Sequence, residues 1–144
     1  MPDILLETTI AAPPDQVYRA LTEQDELASW WTRSATAQPK VGTVSEFVFY
    51  EGQSTLKMEV TRLEPDQKVY WKPVQGAPDW PGTRVTWDLT PAEGGTKVLL
   101  GHRDYASTEG SFASVTFNWA WYLISLQAYL ETGQGKPNAG MSAA

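Results

Sequence analysis

The 144-residue chain has no cysteine and only one histidine, His102. The first absence excludes disulfide staples, thiolate metal sites and a cysteine nucleophile. The second excludes a multi-histidine metal centre. Basic residues are scarce, with 11 Lys and Arg against 17 Asp and Glu and a net charge of -6. Without a basic stripe, the chain is a poor partner for nucleic acid or an anionic membrane. No apolar run is long enough to span a bilayer, and Met1-Pro2-Asp3 lacks the basic start of a signal peptide. There is no Gly-rich phosphate loop, since Gly94-Gly95 reads as a hairpin turn. There is no Gly-x-Ser-x-Gly elbow and no carboxylate pair that can be placed in a cavity. These absences predict one soluble, cytoplasmic domain over 1–144, with no cofactor and no metal, and with 136–144 as a flexible tail.

Aromatic and apolar residues are plentiful. Hydrophobic residues make up 42% of the chain, and seven are Trp. Asp3 to Ile10 reads as a strand, and Pro14-Asp15 suits the first turn of a helix. Thr22 is the expected cap of a second short helix that carries Leu27, Trp30 and Trp31. From Ser45 the period changes to two. Strands are expected at 45–50, 55–63, 68–74, 83–90 and 96–105, joined by tight turns. Ser111 to Glu131 is the one long helical pattern, with Phe112, Val115, Trp119, Leu123, Leu126 and Leu130 on one stripe. Gly133 stands where a C-cap is wanted. The order gives an α+β fold: an antiparallel meander with helices on one face. A twisted sheet curves, so a long helix laid across it leaves room for a cavity.

The ordered motifs resemble a known family. Ile10-Ala11-Ala12-Pro13-Pro14-Asp15-Gln16-Val17-Tyr18-Arg19-Ala20-Leu21-Thr22 looks like the opening of the START/Bet v 1-like (SRPBCC) superfamily. Leu27-Ala28-Ser29-Trp30-Trp31, the strand from Gly95 to His102, and the helix from Trp119 to Gly133 resemble its branch related to the C-terminal domain of the activator of Hsp90 ATPase. The resemblance implies a helix-grip fold, in which a curved antiparallel sheet wraps a long C-terminal helix around an internal cavity. It also implies binding of lipids, polyketides or other apolar molecules. A cyclase or dehydratase is the enzymatic alternative, and a chaperone-directed interaction is a third reading.

Alternation places Phe47, Phe49, Met58, Trp71, Trp87, Leu100 and His102 on the inner sheet face, and the helix stripe adds Trp119 and Leu123. These nine are the expected ligand-binding residues for a small apolar or aromatic molecule. Trp71, Trp87 and the two Phe residues serve equally well as core filling. His102 could orient a ligand or act as acid/base, but a catalytic base needs a partner and the sequence offers none. A polar residue bonded to its neighbours is therefore the favoured reading. Tyr50 and Arg62 are further candidates for orienting a ligand. Trp31 and Trp80 are read as surface staples in preference to a cavity mouth. Phe117, Trp121, Ile124 and Ala128 form a second apolar stripe on the long helix, which suggests a homodimer contact.

Overall fold

The computed structural model describes residues 1–49, 52 and 54–137. Strand β1 (Ile4–Ile10) leads into helices α1 (Pro14–Thr22) and α2 (Gln24–Trp30). Strands β2 (Ser34–Thr36), β3 (Val44–Phe49), β4 (Ser54–Glu64), β5 (Lys68–Gln75), β6 (Arg84–Ala92) and β7 (Gly95–Arg103) follow, and α3 (Phe112–Thr132) closes the chain. The sheet has seven strands in the order β1-β7-β6-β5-β4-β3-β2, with every pair antiparallel. The first strand thus lies beside the last, and the rest is a meander. This is the α+β helix-grip architecture. Tyr50 and residues 138–144 lie outside the described residues.

The alternation sets which side of each strand is buried. Val85, Trp87 and Leu89 of β6 and Val98, Leu100 and His102 of β7 are all at most 5% exposed, and the register pairs Trp87 with Leu100 and Val85 with His102. Such cross-strand pairs are what hold a sheet face together. The outer face carries charge instead. Lys68 Nζ and the Tyr70 hydroxyl both donate to Asp88, at 2.9 and 2.7 Å.

Three details differ from the sequence expectation. Residue Glu23 occupies the N-cap of α2, while Thr22 is still helical and donates its hydroxyl to the Tyr18 carbonyl. Strand β2 is only three residues long, too short for a periodic signal. Arg62 faces outward, paired with Glu64 and lying over the Tyr70 ring. A register shift between Val60 and Arg62 breaks the alternation that would have turned it inward.

Helix α3 lies over the inner face, and its C-terminal half is tied down at several points. Ser125 Oγ donates to the Trp30 carbonyl at 2.7 Å. Gln127 donates to the Thr9 carbonyl, Tyr129 donates to Glu26, and Glu131 accepts from the Ala11 amide. Gly133 takes the left-handed conformation at φ 85°, and its amide closes the helix on Tyr129. No helix among the described residues is long and apolar enough to cross a membrane.

Candidate functional site

Most of the space between sheet and helix is filled by aromatic rings. Trp31 stacks nearly parallel to both Trp30 and Trp71, at 5.8 and 5.7 Å between centroids and 11° and 9° between planes. Phe47 packs 4.1 Å from Trp31, and Trp119 packs 5.3 Å from it. Trp87 meets Trp30, Trp71 and Trp119 edge to face. Trp31 is therefore the centre of the core, not a surface staple, at 2% exposure. The chain turns inward as α2 ends, which is why the second residue of the Trp pair points under α3 instead of into solvent.

Open space remains at one end. A cleft of about 430 Å³ lies among the start of β4, the end of β5, the loop after it and the first turns of α3. Its aromatic walls are Trp31, Trp80, Trp119 and Tyr122. Leu56, Ala77 and Val115 add apolar surface, while Ser54, Thr55, Gln75, Ser114 and Asn118 supply polar groups. The size falls in the range of about 300–1,000 Å³ typical of small-molecule sites. Of the nine residues expected to bind a ligand, Trp119 lines this cleft. Phe47, Phe49, Met58, Trp71, Trp87, Leu100, His102 and Leu123 are buried in the layer beneath or beside it, each at most 5% exposed.

The loop that walls the cleft is held in two ways. Trp80 lies directly on Gly76, where a Cβ would come within 2.2 Å of the indole. Only glycine fits that approach. Asp79 reaches the first turn of α3 and accepts from the Ser111 amide at 3.0 Å and the Ser111 hydroxyl at 2.6 Å. Burial pushes the Asp79 carboxyl up, but the Ser111 bonds outweigh it and hold the group below its ordinary value. Asp79 thus does for α3 what an N-cap side chain does, from another part of the chain. Nothing local in the sequence signals it.

His102 lies behind Trp80 and Trp119, fully buried. The Trp119 indole N–H donates to its Nδ1 at 3.1 Å. The Thr83 hydroxyl donates to the Trp80 carbonyl at 2.6 Å, so its oxygen is left to accept from His102 Nε2–H at 2.9 Å. This chain of bonds assigns the neutral Nε2–H tautomer. Burial lowers the imidazole pKa to about 4, and the charge of Asp79 offsets a part of that. Tyr105 stands next to it, its hydroxyl 3.5 Å from Nδ1 and its own pKa pushed up to about 12 by burial. Both ring nitrogens of His102 are used, and it has neither a proton nor a lone pair to offer the cleft.

The outer face of α3 is different again. Phe117 is 65% exposed, Ile124 63% and Trp121 36%. On a helix these three fall on one stripe.

The family described as Activator of Hsp90 ATPase homolog 1-like protein matches residues 11–131. The chain belongs to that family. The Aha1 dimer from Colwellia psychrerythraea, solved in solution, is 32% identical; the match covers 94% of this chain and 100% of that one, with a TM-score of 0.86. The fold recurs in CalU16 from Micromonospora echinospora, at 21% identity, 91% and 77% coverage, and a TM-score of 0.73. It recurs also in DynU16, a protein in the dynemicin biosynthetic locus, at 24% identity, 92% coverage of this chain and 48% of that one, and a TM-score of 0.78. No curated protein matches the chain.

Proposed function

We propose that this member of the family is a binding protein that holds a small apolar or aromatic molecule in the cleft at the start of α3. The observation that carries this reading is the cleft itself: about 430 Å³ walled by Trp31, Trp80, Trp119 and Tyr122. Burying ligand surface there contributes about 25 cal/mol per Å² before ordering costs. Ser54, Thr55, Gln75, Ser114 and Asn118 orient the guest. The cyclase or dehydratase alternative, with His102 as acid/base, draws no support from a buried imidazole with both nitrogens engaged.

Native mass spectrometry of the purified protein for co-purified small molecules, followed by a ligand screen on tryptophan fluorescence, tests the reading. Val115→Trp fills the cleft and serves as the control. The expected result is a bound molecule, or a screening hit, that this variant loses. A protein that carries nothing, with screening responses identical in both forms, rules the reading out.

A second reading concerns assembly. The exposed stripe of Phe117, Trp121 and Ile124 is proposed as a homodimer contact. It is supported by the dimeric state named for the Colwellia psychrerythraea relative. Sedimentation velocity should show a dimer that Phe117→Asp with Ile124→Asp converts to monomer. A monomer at high concentration in the unmodified protein removes this reading.

A further inference from the structure

We propose that the cleft selects an uncharged molecule with an apolar body and a polar rim, and rejects anionic and cationic analogues of the same shape. This deepens the binding reading above and rests on it. The first observation is the chemistry of the lining. Among the described residues, the fourteen that line the cleft include no Lys, Arg, His, Asp or Glu. Asp79, in the loop that walls the cleft, spends both oxygens on Ser111. The imidazole behind it is closed off by Thr83 and Trp119. An anion entering the cleft would shed water and find no counter-charge, which is costly in a partly buried site. The net charge of -6 adds long-range repulsion.

A cation fares no better, although four aromatic side chains line the walls. Cation–π attraction needs an open ring face. Trp31 is crowded by Phe47, Trp119, Trp71 and Trp30 at 4.1 to 5.8 Å between centroids and is only 2% exposed, and Tyr122 is 1% exposed. The Trp80 ring lies against Gly76, and Trp119 is only 3% exposed. The walls offer apolar contact but no cage for a positive charge.

What the cleft does offer is a set of neutral hydrogen-bonding groups. Among the described residues, the Asn118 amide and the hydroxyls of Ser54 and Thr55 have no hydrogen-bond partner within the chain. An amide both donates and accepts, so it matches hydroxyl or carbonyl substituents at the edge of a ring system. Gln75 donates one N–H to the Thr55 carbonyl and Ser114 donates its hydroxyl to the Ser111 carbonyl, so each keeps only part of its hydrogen-bonding capacity for a guest. Asn118 is thus the residue expected to read the polar rim of the guest.

Three probes that share one ring system separate the cases: 2-naphthol, 2-naphthoate and 2-naphthylmethylammonium, titrated by calorimetry at pH 7 into the full-length protein. The expected order is 2-naphthol at least tenfold tighter than either ion, with binding lost in Val115→Trp. Asn118→Asp should weaken 2-naphthol several-fold and raise the affinity of the ammonium probe. Equal or tighter binding of either ion by the unmodified protein overturns charge selection and leaves the cleft a binding site. Binding of 2-naphthol that Val115→Trp does not reduce overturns the assignment to this cleft. No binding by any of the three overturns both this inference and the reading it rests on.

Discussion

The space under α3 has two ends, and they are built differently. At the closed end, Trp30, Trp31, Trp71, Trp87 and Phe47 interlock, and the second half of the helix is bonded to α2, β1 and the segment after β1. At the open end the first turn of α3 is held by Asp79 on Ser111 and by the Tyr105 ring set edge-on against Phe112, and polar residues face the gap. The difference follows from where the large rings fall. Aromatic side chains carry the most buried area per residue and fix their neighbours by shape. One helix therefore has a half locked into the core and a half that borders open space.

The contrast can be broken most severely at its centre. Trp31→Ala removes the ring shared by both stacks and leaves a cavity where Trp30, Trp71, Phe47 and Trp119 now meet. The expected loss is about 3–5 kcal/mol, a large part of the roughly 5–15 kcal/mol that such a domain has. Urea unfolding followed by circular dichroism reads it. A loss under about 1 kcal/mol would mean that the two ends do not differ as described.

The next effect comes from His102 at the boundary between the ends. Its folded pKa of about 4 lies below the ordinary 6.5. Above pH 6.5 both folded and unfolded chains hold the imidazole neutral, and its full contribution is in place. Between pH 6.5 and 4 the unfolded chain takes up a proton that the folded chain refuses, so stability falls. The loss reaches at most about 3 kcal/mol and stops below pH 4. Asp79, held below its ordinary value, adds its own loss only at lower pH. Unfolding measured at pH 7.0, 5.5 and 4.5 should show the decline, and His102→Gln should be less stable at pH 7 but flatter across this window. Equal slopes for the two forms would show that the imidazole is not responsible.

The closed end was largely legible in the sequence, and the open end was not. Period-two alternation gave the inward positions of Trp71, Trp87, Val98, Leu100 and His102, because a half-buried strand has no other way to place them. The 3.6-residue stripe on α3 did the same for Trp119 and Leu123. Trp31 escaped because it stands at a helix end, where neither period applies. The cleft escaped for a deeper reason. Its floor, its loop wall and the Asp79–Ser111 clamp join residues 31, 54–56, 75–80 and 111–122. No local pattern encodes contacts between segments so far apart. Asn118 carries no signal of its own: on the helix it is one polar residue between two apolar stripes.

Asp79 tests whether the clamp acts on the open end alone. Asp79→Ala leaves the Ser111 amide without its acceptor, and the loss expected for a missing cap is about 1 kcal/mol. Its location matters more than its size. Amide hydrogen exchange should quicken over residues 111–118 and stay unchanged over 122–130, which keep their bonds to Trp30, Glu26 and Thr9. Faster exchange along the whole helix would mean that α3 opens as one piece.

The smallest effect sharpens the comparison within a single strand. Leu56 and Met58 lie two residues apart on the same face of β4, and only Leu56 borders the cleft. Met58 is fully buried. Truncating it creates a void among packed side chains, and Met58→Ala should cost about 2–5 kcal/mol. Leu56→Ala enlarges a space that is already open to water. There is no new cavity to maintain and less apolar surface to expose, so the loss should stay under about 1 kcal/mol. The same change widens the cleft, and 2-naphthol affinity should fall while the unfolding midpoint hardly moves. Comparable losses of stability at the two positions would show that the open end is packed as tightly as the closed one, and the division of α3 into a locked half and an open half would be lost with it.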